Sequence, residues 1–370
     1  MNKDKILNNI NALSQNTMFN LSLTSKELFH SNFWAWIIRK YPNIFACAFD
    51  FQYAESRRFE ICREKHHFDL CIETEDTLII IENKLKSFPD KNQLEEYEKY
   101  ETSLKKKLIL ISYFKPLFNI KDSTGKHITY KELCNRLKKC FLSAKESTFQ
   151  GEDKAIIKDY IEFLDLLVEL QDNVEIFPDN KVGNIWSVVK EPNIQQKLKK
   201  INLAKTFERI VSAKLTEIVL YNFNLSKYID EIRIDCGRDL KIFSDILFYF
   251  PGAWDNDELK RQDLCYLGIS LWENYYRYYA GLHKAQCKIN LPKKGRYDRD
   301  NKNLGFKYLS DNYGWLFNQE HGGIWNGYSY KNEMYLYKKA DISSYTVSEL
   351  SQKVQYDLSL IYTYIKDFCK

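Results

Sequence analysis

The first sustained spacing of apolar positions runs through Phe29, Phe33, Trp36 and Ile37, one face of a 3.6-residue period, and predicts a helix over about 26–40. Ahead of it, Thr24-Ser25-Lys26-Glu27 reads as a capping box, with Thr24 as the cap and Glu27 closing it. The period then shortens to two. Segments 58–64, 67–73 and 78–85 read as strands, and the polar tetrapeptide Thr74-Glu75-Asp76-Thr77 between the last two reads as a hairpin loop. Asp90 is placed to cap a helix carrying Gln93, Leu94 and Tyr97, and the apolar run 107–112 follows as a fourth strand. The expected order is helix, three strands, helix, strand.

Two amphipathic helices are predicted next, at 130–142 and 153–171. In the second, Ile157, Tyr160, Ile161, Leu164, Leu167 and Val168 trace a stripe suited to covering a sheet. Periodicity lapses from Asp172 to Asn193, where Pro178, Gly183 and Pro192 gather, so a boundary is expected there between a domain of residues 1–175 and one of residues 190–370. The second part reads as a helix over 194–221, strands at 229–236, 240–250 and 264–272, a polar basic stretch over 284–307 and a closing helix over 348–368. The fold class expected is α/β with a C-terminal α+β domain.

Composition narrows the function classes. A chain of 370 residues suits two domains at about 100–200 residues each. With 44% hydrophobic and 28% charged residues, disorder, collagen-like repeats and coiled coil are poor readings. No apolar run approaches the roughly 18 residues of a membrane span, and the start MNKDKILNNINALSQ lacks a signal-peptide core, so a cytoplasmic protein is expected. The nine cysteines include no C-x2-C or C-x4-C pair, and are expected to be reduced and mostly buried. Net charge is only +5, but it is uneven: residues 1–175 carry 26 basic and 27 acidic side chains, residues 176–370 carry 29 and 23.

The candidate chemistry lies in Phe68-Asp69-Leu70-Cys71-Ile72 and Leu78-Ile79-Ile80-Ile81-Glu82-Asn83-Lys84. Alternation puts Leu78, Ile80, Glu82 and Lys84 on one strand face. A hairpin symmetric about Glu75 and Asp76 sets Asp69 opposite Glu82, with Cβ atoms about 4.5–5.5 Å apart. Two carboxylates so placed call for a cation or a shifted pKa. A divalent metal supplies that charge, and an adjacent lysine can stabilise a phosphate or help activate water. The bland alternative is a salt-bridged pair at an exposed hairpin end. Acid-x-Lys alone carries no weight, since it recurs at Glu152-Asp153-Lys154, Asp179-Asn180-Lys181, Asp239-Leu240-Lys241, Glu258-Leu259-Lys260 and Asp300-Asn301-Lys302. Of these, Asp239, with Asp235 upstream, is the decoy to test.

The acid, the twelve-residue gap and Glu-x-Lys closing an apolar strand resemble the PD-(D/E)XK nuclease superfamily, in its bacterial branch. The resemblance implies a restriction-endonuclease-like αβββαβ core with a central mixed sheet over about the first 115 residues. It implies Asp69 and Glu82 as metal ligands for Mg²⁺ or Mn²⁺ and Lys84 as the catalytic lysine. Phe68 stands where the family carries proline. Glu27 occupies a position where family members commonly place an acid that completes the metal shell, against its alternative as a capping-box residue. Gln93 and Tyr97, one turn apart on a helix face, resemble the QxxxY element of RecB-like nucleases. Gln93 would lean towards the active site, against its alternative as a partner of Asp90, and Tyr97 would contact substrate. Glu64 and His67 are lesser candidates, the latter placed by alternation opposite Lys84.

What the resemblance implies is a metal-dependent nuclease acting on nucleic acid, DNA in preference to RNA, in restriction, repair or phage defence. No membrane partner is expected, while a second copy or an associated activator is left open. The rival is a non-catalytic nucleic-acid-binding or scaffold protein that keeps the fold. Substrate contacts are sought in Lys284–Lys307, where basic residues including Lys293, Lys294, Arg296, Arg299 and Lys302 interleave with Tyr297 and Phe306. Lys190–Lys214 is a second basic stretch. The run Trp272, Tyr275, Tyr276, Tyr278 and Tyr279 would stack bases or pack a core.

Overall fold

Asn2 caps the first helix, α1 (Lys3–Gln15), by accepting from the backbone N–H groups of Asp4 and Lys5, and Ile6, Asn9, Ile10 and Leu13 form its buried face. In the computed structural model the described residues are 1–22, 26–50, 59–89, 91–116, 120, 125–221, 234–236, 244–249, 264–283, 294–296, 325–330 and 333–368. They form two compact units. One comprises Met1–Glu175 with Glu191–Ile210, the other Ile176–Lys190 with Val211–Lys370.

The first unit continues through α2 (Thr17–Ser22), α3 (Lys26–Lys40), α4 (Pro42–Phe49), β1 (Glu60–Arg63), β2 (Leu70–Glu73), β3 (Thr77–Lys84), α5 (Lys91–Lys99), β4 (Lys105–Ser112), β5 (Gly125–Thr129), α6 (Tyr130–Ser143) and α7 (Asp153–Asp172). Its sheet is mixed, in the order β1-β2-β3-β4-β5. The first three strands form an antiparallel meander, and β4 and β5 join in parallel. Every position of β3 before Lys84 is buried, as expected of a strand covered on both faces. On one face Leu94 and Tyr97 of α5 close over Phe68, Cys71, Leu78, Ile80, Leu108 and Leu110. On the other, Ser31 of α3 takes the Asn83 side-chain amide at 2.8 Å. Beneath α3 lies an aromatic core in which Phe33 stacks on Tyr160 and His30 on Phe163.

The chain then forms α8 (Val182–Val189), α9 (Pro192–Lys200), α10 (Ala204–Val219), β6 (Ile234–Cys236), β7 (Ser244–Tyr249), β8 (Leu264–Trp272), β9 (Tyr275–His283), β10 (Lys294–Arg296), β11 (Trp325–Tyr330), β12 (Glu333–Asp341) and α11 (Val347–Phe368). The second unit's sheet is antiparallel, in the order β10-β11-β12-β9-β8-β7-β6, and α11 packs against β7 and β8. Asp357 of α11 accepts from the buried hydroxyls of Tyr276 and Tyr278 at 2.7 and 2.8 Å. Those two tyrosines therefore pack a core. Among the described residues no helix is long and apolar enough to cross a membrane.

Four expectations are corrected. Cys47 and Cys140 are joined in a disulfide. Spacing could not reveal a pair 93 residues apart, which α4 and α6 bring within 6.0 Å between Cα atoms. The helix expected over 194–221 is two, α9 and α10, parted where Asn202 adopts a left-handed φ of 53°. The aperiodic stretch 172–193 contains α8. His67 does not extend β2: residues 65–67 make a 3-10 turn in which His66 and His67 have positive φ, so strand alternation does not carry back to it.

Candidate active site

The site is built on the β2–β3 hairpin. The Thr74 hydroxyl accepts from the Thr77 N–H at 3.0 Å and the Thr77 carbonyl accepts from the Thr74 N–H at 2.9 Å, which closes a tight loop and fixes register. Glu73 pairs with Leu78 and Leu70 with Ile81, so one further step sets Asp69 opposite Glu82. Asp69 immediately precedes the first residue of β2. Its Oδ2 accepts the Asn83 N–H at 2.8 Å, which holds the carboxylate against β3.

Glu82 is the centre of the cluster and is 1% exposed. Its Oε1 lies 2.6 Å from Lys84 Nζ and accepts from the Gln93 side-chain amide at 2.8 Å. Its Oε2 accepts from the Tyr97 hydroxyl at 2.9 Å. Gln93 also donates to the Tyr97 oxygen at 2.5 Å, so the two residues one turn apart on α5 act as a single clamp on the carboxylate. Burial and the negative charge of Glu82 push the Tyr97 hydroxyl pKa well up, so it stays a donor.

Glu27 reaches beyond its own helix. Its Oε1 accepts from the backbone N–H groups of Leu85 and Lys86 at 3.2 and 3.1 Å and from the Ser87 hydroxyl at 3.1 Å, so α3 holds the turn that leaves β3. Thr24 and Asp90, the alternative capping partners of Glu27 and Gln93, lie outside the described residues.

The electrostatics follow from three carboxylates and few cations. Burial, then the charge of Glu82, raises the Asp69 pKa to about 7 against the opposing Asn83 N–H and Lys84, with Glu27 adding to the rise. For Lys84, burial favours the neutral amine, but Glu82, Glu27 and Asp69 together outweigh it and the net shift is upward, which keeps the ammonium charged. Among the described residues Asp69 Oδ1 and Glu27 Oε2 carry no hydrogen bond, whereas both oxygens of Glu82 do. The donor set is all oxygen and fits a hard divalent cation.

Two neighbours carry no sequence signal for this place. Arg209 of α10 donates to the Lys86 carbonyl and feels the charge of Glu27, although burial draws its own pKa down. His127 is level with Glu82 on the same sheet face, through the pairs Glu82–Leu110 and Leu110–His127. The single Ser112 hydroxyl proton goes to the Phe114 carbonyl at 2.5 Å, so Ser112 accepts from His127 Nε2 at 2.8 Å.

Glu64 is exposed, with a left-handed φ of 54°, and makes no cap hydrogen bond. Lys293, Arg299, Lys302 and Asp239 lie outside the described residues. Lys294 and Arg296 belong to β10 in the second unit, paired with Tyr330 and Tyr328. No protein-family model, curated protein or solved structure matches the chain.

Proposed function

We propose that the first unit is a metal-dependent nuclease of the PD-(D/E)XK type, hydrolysing phosphodiester bonds of DNA. The observation that carries the reading is the meeting of Asp69 and Glu82 across one hairpin with Lys84 on the same face. The run α3, α4, β1, β2, β3, α5, β4 supports it, being the αβββαβ order that the sequence resemblance implies with the short helix α4 added between α3 and β1. So does the convergence of Gln93 and Tyr97 on Glu82.

Asp69 and Glu82 would hold Mg²⁺ or Mn²⁺, with Glu27 beside them; such an ion, when bound, polarises a phosphoryl oxygen and lowers the pKa of a water. Lys84 is the side-chain cation placed to donate to a phosphoryl oxygen as charge builds on it. Gln93 and Tyr97 fix the Glu82 rotamer, so the carboxylate need not reorganise during reaction. Glu27 and Arg209 position the 85–87 turn from two helices.

The test is cleavage of a panel of linear duplex, supercoiled plasmid, single-stranded DNA and RNA with Mg²⁺, Mn²⁺ or EDTA. Metal-dependent cutting is expected, reduced about 100-fold or more by Lys84→Ala and by Asp69→Asn. Folded protein that cuts nothing and shows no Asp69-dependent Mg²⁺ binding by calorimetry would instead support a non-catalytic nucleic-acid-binding or scaffold role.

A further inference from the structure

A chemically different set of donors shares the sheet with Asp69. The β1–β2 register pairs Cys62 with Cys71 and Glu60 with Glu73, so two thiols and two carboxylates project from adjacent levels of one face. The Cys62 and Cys71 sulfurs and a Glu73 carboxylate oxygen all lie within 4.8 Å of one another. The Cys62 thiol donates to Glu60 Oε1 at 3.3 Å, which ties the fourth group to the other three. Like charges directly opposed across an antiparallel pair are unfavourable without a counter-ion. Here the Lys65 ammonium fills that role, 2.8 Å from Glu73 Oε1, on a side chain that is 38% exposed and free to turn outward.

We propose that Glu60, Cys62, Cys71 and Glu73 form a binding site for a thiophilic divalent cation of the Zn²⁺ class, with Lys65 as its resident competitor. Tetrahedral Zn²⁺ with thiolates at about 2.3 Å and carboxylates at about 2.0 Å needs ligand atoms roughly 3.3–3.8 Å apart, a contraction that rotamer adjustment supplies. Both thiols give up their protons to solvent on ligation. Sulfur in the donor set excludes Mg²⁺ and separates this site from the all-oxygen cluster at Asp69 and Glu82. Half-buried Cys62, on the edge strand, provides the way in, while Cys71 is buried against Phe68, Ile80 and Leu94. Occupancy would pin β1 to β2 two residues from Asp69. The proposal does not depend on the nuclease reading.

The experiment is a Co²⁺ titration of the full chain under phosphine reductant, read by the thiolate-to-cobalt charge-transfer band and the visible bands of tetrahedral Co²⁺. The charge-transfer band is expected to saturate at one Co²⁺ per thiolate site; Zn²⁺ bleaches it and excess Mg²⁺ does not. Cys62→Ser should abolish the charge-transfer band, Glu73→Gln should weaken binding about tenfold or more, and Asp69→Asn should leave it unchanged. Lys65→Ala, which removes the competitor without touching a ligand, should tighten binding. A wild type without the band, a band that survives in Cys62→Ser, or unchanged affinity in Lys65→Ala would each overturn the proposal. The last holds even if circular dichroism shows Cys62→Ser to be misfolded.

Discussion

Glu82 shows how a buried carboxylate is made tolerable and useful at once. Three side chains donate to it, Lys84, Gln93 and Tyr97, so each oxygen is satisfied in its burial while one of about four lone-pair sites is left over. Its neighbour Asp69 bears the cost instead, with a pKa raised to about 7. The native state therefore holds a proton on Asp69 that the unfolded chain has lost above its ordinary value of 3.8. Asp69 favours folding most below that value, and the contribution is lost as pH rises through about 7. Without metal, stability measured by urea unfolding should fall between those limits, and Asp69→Asn should flatten that slope while abolishing cleavage. A cation must displace the same proton, so Mg²⁺ affinity by calorimetry should climb with pH up to about 7 and then level, with up to one proton released per ion below it. Affinity independent of pH would separate Asp69 from the metal.

At the scale of elements, α5 is a positioning device for β3. Tyr97→Phe removes the donor to Glu82 Oε2 and keeps the ring packed edge-on against Phe68. It should cost about 1–3 kcal/mol in chemical denaturation, the range for a buried acceptor left unmatched. Gln93→Ala should lower cleavage with little change in melting temperature, because Gln93 is only partly buried. The link between α4 and α6 acts more broadly. The Cys47–Cys140 bridge spans 93 residues, and chain entropy assigns a loop of that length about 4–5 kcal/mol. The double Cys47→Ala, Cys140→Ala variant should lose about 2–5 kcal/mol in urea unfolding, and reductant should lower the wild-type midpoint without affecting that variant.

At the scale of the molecule, each unit has its own sheet and its own buried polar anchor. In the second unit that anchor is Asp357, which also pairs with Lys353 at 3.5 Å. Asp357→Ala leaves the Tyr276 and Tyr278 hydroxyls without their acceptor and should destabilise by about 2–4 kcal/mol. Calorimetric Mg²⁺ affinity dependent on Asp69 should survive that change at temperatures below unfolding, since the Asp357 partners Tyr276, Tyr278 and Lys353 all belong to the second unit.

Local pattern determined the parts of this protein that depend on period alone. Period-two alternation and a short polar loop are enough to place Asp69 level with Glu82 and Lys84 on its face, because strand geometry leaves only two faces and the turn fixes register. The helical stripes of α3, α6, α7 and α11 were readable for the same reason, as the dihedrals are set within a few residues. Other features depended on encounters that no period encodes. The short strand Gly125–Thr129 gains its place only by parallel pairing with β4, and Arg209 reaches the 85–87 turn across 123 residues of chain. The Cys47–Cys140 bridge and the left-handed turn that takes His67 out of β2 are of the same kind. Gln93 and Tyr97 lie between these limits. Their shared helix face follows from spacing, but their convergence on one carboxylate required α5 to pack over β3, and that docking, with the burial it imposes, also raised the pKa of Asp69.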